Sequence, residues 1–403
     1  RILYVKHQLG LINAFQPEVS PVTIAYTKEE LGSKTHREAA LTAAEESITL
    51  LKNNTTANGA PLLPLGNQPL FVFGSAADDV NLLNGAWTNT WQGNDSQYSH
   101  NPLYPTIWEA LVKNRAAGEI EPRATKGLQF FAQALSSNTR TAKQLKTLKK
   151  SLTPNAVAIF CIGETPGTEI PGNIDDLAAE INAGDKQLFD FFVQNQIPVV
   201  LVLATGRPRI ITEYANKSTA VLQAYLPGNE GGTAIAKIIY GVTNPSGKLP
   251  YTYPRFAGDV VHYDHKSTEK NDKLFGTNAY QPLFDFGSGL SYTQFGYTNL
   301  LVSPSKDQGF QVSTTITNTG KVAGKEVCQL YYRDEYASVT PSVKKLCAYL
   351  KTRLLQPGES ETITFNISRE DLSFINKDLQ RVTEPGDFTF MVKDQAVTVK
   401  VTD

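Results

Sequence analysis

Apolar residues along the chain pass through successive regimes. From Arg1 to Phe15 they are spaced as on a helix, with Ile2, Val5, Leu9 and Ile12 along one side, but no core follows for them to join. Gln16–Leu31 has no period and reads as a linker. A second helical stretch opens with Thr35-His36-Arg37-Glu38, the spacing of a capping box. It is expected to run to about Lys52, with Ala40, Ala44, Ile48 and Leu51 on one face.

Beyond it, short continuous apolar runs alternate with helical ones. Leu70–Phe73, Val157–Cys161, Val199–Leu203 and Ala220–Ala224 read as buried strands, and Thr106–Val112, Lys186–Asn195, Arg209–Ala215 and Thr233–Tyr240 as helices. Such alternation predicts an α/β sandwich with a mostly parallel sheet covered on both faces, over residues 33–255. Residues 256–298, rich in Gly, Tyr, Asp and Asn, read as a long connection. From about Asn299 the pattern changes to alternation, as in Thr362-Ile363-Thr364-Phe365, Thr389–Val392 and Val397–Val401. Turn signals such as Asn318-Thr319-Gly320 and Glu384-Pro385-Gly386 separate these runs. Residues 299–403 are therefore expected to form a β-sandwich.

Composition narrows the partners. The 403 residues hold 38 Lys and Arg against 39 Asp and Glu, with no basic run, so nothing points to nucleic acid or an anionic membrane. No apolar stretch reaches the roughly 20 residues of a membrane helix. Cys161, Cys328 and Cys347 and the five His form no metal-ligand spacing, and no cofactor or metal is expected. Cys328 and Cys347 could pair in an oxidising compartment or remain buried thiols. The chain opens Arg1-Ile2-Leu3-Tyr4-Val5-Lys6, with no initiator Met and no signal-peptide pattern, and reads as the middle of a longer polypeptide.

In an open α/β sheet, ligands bind beyond the carboxyl ends of the strands. Two such loops carry candidate chemistry. Gly85-Ala86-Trp87-Thr88-Asn89-Thr90-Trp91-Gln92-Gly93 places two of the chain's three Trp among Asn, Thr, Gln and Gly. Indole faces stack on the C–H faces of pyranose rings and amides reach ring hydroxyls, so the mix suits a sugar. The alternative is that both rings fill a gap between domains. Gly163-Glu164-Thr165-Pro166-Gly167-Thr168-Glu169 holds two carboxylates. Glycoside hydrolysis needs an acid on the leaving oxygen and a second carboxylate at the anomeric carbon. A Glu on such a loop beside aromatic walls is placed for partial desolvation, which would keep it protonated. The alternative is that Glu164 braces the loop and Glu169 is simply solvated. No phosphate-binding loop and no Gly-x-Ser-x-Gly elbow appears.

Taken in order, these segments resemble glycoside hydrolase family 3, in particular its exo-β-glucosidases and β-glucan glucohydrolases. Residues 1–32 resemble the end of that family's N-terminal (β/α)8 barrel with its linker. Glu46-Ser47 with Leu50–Asn53 and Leu63-Pro64-Leu65 resemble the entry to its second domain. Gly206-Arg207-Pro208, Leu226-Pro227-Gly228 and Asn244-Pro245-Ser246-Gly247-Lys248-Leu249-Pro250 follow in the family's order. Phe284–Tyr292 and Thr317–Gly320 with Ala323–Glu326 resemble the approach to, and the interior of, a fibronectin type III-like domain. Ala86 stands where a second Gly is common, Gly167 where an aromatic is frequent and Ser288 where Phe is frequent, and Gly167 implies a more open wall.

The resemblance implies a retaining exo-β-glucosidase acting on terminal β-D-glucosyl residues of glucans or oligosaccharides. Glu169 would be the acid/base, Trp87 and Trp91 the sugar-stacking walls, and Glu164 and Arg207 possible supports. Asp95, Asp175 and Asp176 are polar neighbours without a role. The family's Asp nucleophile would lie on an upstream barrel of the same polypeptide, so residues 1–403 alone are expected to be inactive. A secreted or periplasmic setting is expected. β-Xylosidase or β-N-acetylhexosaminidase activity, or a noncatalytic carbohydrate-binding fragment, are the competing expectations.

Overall fold

A computed structural model describes residues 1–8, 11–12, 32–56, 59–114, 132–270, 280–305 and 309–402. Residues 1–40 and 41–403 are separate compact units. Helix α1 (Ile2–Gln8) buries none of its residues. The linker expected over Gln16–Leu31 lies outside the described residues. Helix α2 (Lys34–Ser47) starts with Ser33, not Thr35, at its N-terminus: the Ser33 Oγ accepts from the His36 N–H at 3.4 Å.

That helix stops at Ser47 rather than Lys52, and β1 (Thr49–Asn53) follows. Ile48, Thr49, Leu50 and Leu51 are all buried. A surface helix buries one stripe, so four consecutive buried positions suit a strand that is covered on both faces. Along the chain come β2 (Leu70–Phe73), α3 (Asn81–Asn84), α4 (Ile107–Glu109), β3 (Ala132–Ala134), α5 (Ala142–Ser151) and β4 (Val157–Gly163). Then follow α6 (Ala183–Gln194), β5 (Val199–Ala204), α7 (Thr212–Lys217), β6 (Ala220–Gln223) and α8 (Gly231–Ile239). The α5 helix went unpredicted, although Thr141 and Gln144 form a capping box at its start. Helix α4 is also capped by a box, Thr106 with Glu109, and widens into a π-turn over Ala110–Asn114.

These strands form one sheet in the order β1-β6-β5-β4-β2-β3, parallel except for β1. Successive side chains of a strand point to opposite faces. Val72, Ile159, Val200 and Val202 thus join one core with α8, while Phe71, Phe73, Phe160 and Leu201 join another with α5 and α6. The chain leaves β2 toward β3 on one side and returns to β4 on the other. The sheet's winding therefore reverses between β2 and β4, the kind of position at which open α/β sheets take their ligands.

The second half is a β-sandwich of β7 (Phe295–Pro304), β8 (Phe310–Asn318), β9 (Val327–Asp334), β10 (Lys345–Lys351), β11 (Ser360–Ile367), β14 (Gly386–Val392) and β15 (Gln395–Val401). A small β12 (Phe374–Ile375) and β13 (Arg381–Val382) pair lies between β11 and β14. One sheet runs β11-β8-β7 and the other β10-β9-β14-β15. Between them pack Val312, Ile316, Leu330, Phe365, Phe388 and Phe390. The Asn318 turn is built on a buried side chain, whose Nδ2 donates to Val322 O (2.8 Å) and Leu355 O (2.9 Å). Cys161, Cys328 and Cys347 are free thiols, and burial pushes the latter two up to about 12.

Several stretches that carried the family resemblance meet at the junction of the two domains. Asn244 Oδ1 accepts from Ser291 Oγ and Tyr292 N, and its Nδ2 donates to Ala323 O at 3.0 Å. Lys248 pairs with Glu326 at 3.0 Å, and Glu46 pairs with Lys325 and Lys351. Their work is to join sandwich to sheet. Among the described residues, no helix is long and apolar enough to cross a membrane and no His, Cys, Asp and Glu group could hold a metal.

Candidate functional site

Both candidate loops leave the strands that flank the reversal, β2 and β4. The ends of these strands touch. A Cβ on Gly74 would lie 2.3 Å from Cys161 O, and the Gly163 N–H donates to Ser75 Oγ at 3.0 Å. The tryptophan loop then closes on itself: Trp87 N–H donates to Trp91 O at 3.0 Å, and Gly93 crosses the Gly85 backbone so closely that a Cβ would meet Gly85 O at 2.2 Å. Both rings point outward, 65% and 50% exposed, with centroids 6.5 Å apart and planes tilted by 56°. The third Trp, Trp108, packs against the core. Exposed indoles of this size usually have something to cover them.

In the loop after β4 the two carboxylates separate. Glu164 is 6% exposed and fully engaged. Its Oε2 accepts from the N–H groups of Gly206 and Arg207, each at 3.0 Å, and its Oε1 pairs with the guanidinia of Arg207 and Arg209. Arg207 Nη1 continues to Gly172 O at 3.0 Å, and Arg209 to Glu180 at 2.6 Å and Ala178 O at 3.1 Å. Glu180 in turn accepts from Thr165 N–H at 3.0 Å. This network pins the base of the loop from both ends.

Glu169 is exposed, and among the described residues its carboxylate has no hydrogen-bond or ion-pair partner. Its backbone is unusual, with φ 54° and ψ −150°, a region that costs a non-glycine residue roughly 1–3 kcal/mol. Trp87 also has positive φ, at 60°. The desolvation expected around Glu169 does not come from this chain's own walls, because the carboxylate stands in solvent. Gly167 packs against Gly172, where a Cβ would approach Gly172 Cα to 3.1 Å.

The two loops are fastened together at Thr168. Trp87 Nε1 donates to Thr168 Oγ1 at 3.0 Å, and Gln92 binds the Thr168 N–H (3.0 Å) and C=O (3.3 Å) through its own Oε1 and Nε2. The Gln92 amide, expected to reach a sugar hydroxyl, is therefore engaged at both ends by backbone. Asp95 Oδ1 accepts from Gln97 N–H and Asp176 Oδ1 from Ala178 N–H, so both shape local turns. Arg209 and Glu180 carry no sequence signal as contributors, because the contacts that enlist them are made across the fold and no spacing betrays them.

A family model described as the Glycosyl hydrolase family 3 C-terminal domain matches residues 48–292, and one described as a Fibronectin type III-like domain matches residues 326–396. The chain is 36% identical to a lysosomal beta glucosidase of Dictyostelium discoideum, over 98% of this chain and 47% of that protein. It is 33% identical to a beta-xylosidase of Formosa agariphila, over 97% of this chain and 52% of that protein. It superposes with a TM-score of 0.81 and 27% identity on a mutant beta-glucosidase of Listeria innocua in complex with laminaribiose, over 100% of this chain and 54% of that one. The chain thus spans about half the length of the relatives it matches. The chain belongs to glycosyl hydrolase family 3, as the portion carrying its C-terminal and fibronectin type III-like domains.

Proposed function

We propose that this chain supplies the acid/base and the sugar-stacking wall of a retaining exo-β-glucosidase. The Asp nucleophile would lie on a barrel domain preceding it in the same polypeptide. One observation carries the reading: Glu164 is fully engaged as a brace, while Glu169, five residues on, is a free carboxylate clipped beside two exposed indoles. In the first step Glu169 gives its proton to the glycosidic oxygen as the bond from that oxygen to C1 breaks, and the nucleophile's carboxylate forms an ester at C1. In the second, Glu169, now a carboxylate, takes a proton from water as the water attacks C1 and releases the nucleophile. Closure of the barrel over Trp87, Trp91 and Glu169 would exclude bulk water from the reacting bond.

The test uses the full-length enzyme. Glu169→Gln should depress kcat/KM for an alkyl glucoside by about 100-fold or more while sparing 2,4-dinitrophenyl glucoside, whose leaving group departs without protonation. Azide should then restore turnover and give a β-glycosyl azide. Glu164→Gln should show neither effect. Rescue in the Glu164 variant and not the Glu169 variant would move the catalytic assignment. Residues 1–403 alone should show no turnover. The beta-xylosidase of Formosa agariphila supports a second reading, in which the sugar is xylose. Nitrophenyl glucoside and xyloside, compared by kcat/KM, separate the two.

A further inference from the structure

We propose that Gln92 is a positioning residue for Glu169, fixing where the acid stands relative to a sugar on the tryptophan pair. The inference rests on the acid/base reading of Glu169. A residue held at φ 54° persists only where its surroundings over-determine it. On the strand side, the Glu164 brace and the Arg207 bond to Gly172 O hold the two ends of the turn, and Gly172 N–H donates back to Thr168 O and Glu169 O, each at 3.0 Å. On the outer side, the residue preceding Glu169 is held by Trp87 and Gln92.

A glutamine amide presents one acceptor and one donor at a fixed separation. That separation matches the N–H and C=O of a single residue, and Gln92 takes both from Thr168. Rotation of the backbone at Thr168 or Glu169 would break the pair together. Gln92 is itself held in place, lying between Trp91, whose O accepts from Trp87 N, and Gly93, whose N–H donates to Thr90 Oγ1 at 3.1 Å and which crosses Gly85. Stacking surface and acid are thereby set in one frame. Misplacing a catalytic group by about 1 Å can cost on the order of 100-fold in rate. With one bond at each end of the amide taken by Thr168, the plane of the Gln92 amide is set by backbone.

Gln92→Met keeps the length of the side chain and removes both bonds, and Gln92→Ala removes the side chain. In the full-length enzyme, each should lower kcat/KM for an alkyl glucoside by about tenfold to 100-fold, yet for 2,4-dinitrophenyl glucoside by no more than about threefold. In a Glu169→Gln background the same changes should add little, since there is no acid left to misplace. The thermal midpoint is measured alongside. Equal losses on both substrates, no loss on either, or a lowered midpoint with an unaltered leaving-group dependence would each overturn the positioning role. If Glu169→Gln keeps its normal acid phenotype in those cases, Gln92 alone is misassigned. If Glu169→Gln lacks leaving-group dependence, the acid reading fails and the positioning role fails with it.

Discussion

Glu164 and Glu169 share a loop and a side-chain chemistry, and differ in everything the fold adds to them. Burial makes an ionised carboxylate expensive unless donors surround it, and Glu164 has two guanidinia and two backbone N–H groups. Removing the carboxylate leaves the Gly206 and Arg207 N–H groups without this acceptor and takes one of two carboxylate partners from the buried Arg209. Glu164→Ala should therefore destabilise the protein by about 3 kcal/mol, toward the lower end of about 3–5 kcal/mol for a broken buried pair because Arg209 keeps Glu180. A urea midpoint that falls at unchanged slope would register this. The exposed rings carry the opposite expectation. Trp87→Ala or Trp91→Ala in the full enzyme should weaken a glucoside inhibitor several-fold to about tenfold, the worth of one aromatic stacking contact, with little change in thermal midpoint. A collapsed midpoint with unchanged affinity would make the rings packing groups instead.

At the scale of the element, loop shape depends on glycines that let two backbones touch. Gly93 has φ +74°, and a Cβ there would lie 2.2 Å from Gly85 O, an obstacle that no side-chain shift can relieve. Gly93→Ala should open the tryptophan loop and lose inhibitor affinity by more than either single Trp→Ala change, because both rings and Gln92 move together. Isothermal titration on the folded variant would measure it, and an affinity equal to wild type would show that the loop tolerates a wider crossing. By contrast, Gly358 has φ +84° but open space around its Cβ, so its requirement is one of turn geometry alone.

At the scale of the whole molecule, sheet and sandwich are tied by charges as well as by apolar contact. Burial pushes the Glu46 carboxyl up, but its hydrogen bonds and charge interactions with Lys325 and Lys351 outweigh this and hold it below the ordinary value of 4.5. A lowered native value means that the unfolded chain binds the proton more readily. The contribution of Glu46 is thus fully present above about 4.5 and is lost as pH falls through the lowered native value. Glu46→Gln should lower the thermal midpoint at pH 7, and the gap from wild type should close as the solution is acidified below that range. A gap that stays constant with pH would mean that the junction draws nothing from this charge.

How much of this was legible in sequence follows from the range of the interactions involved. Strands β2, β4, β5 and β6 announce themselves because both faces of the sheet are covered, leaving unbroken apolar runs such as Val199–Leu203. The sandwich strands announce themselves by alternation, since each has one face in the core. Position 50 misleads because Ile48–Leu51 has no helical gap and continues a true helix, and only pairing with β6 makes it a strand. The candidate loops could be located from sequence, because Trp, Gly and Glu clustered after strand ends are local signals. Which carboxylate is braced and which is free could not, since Arg207 and Arg209 reach Glu164 across more than forty residues. The clip at Thr168 joins residues 76 apart, and such a bond exists only once parallel strands bring their ends side by side. Sequence determined which segments could carry chemistry; tertiary structure decided which side chains remain free to perform it, because burial and pairing are properties of neighbours that the chain order does not name.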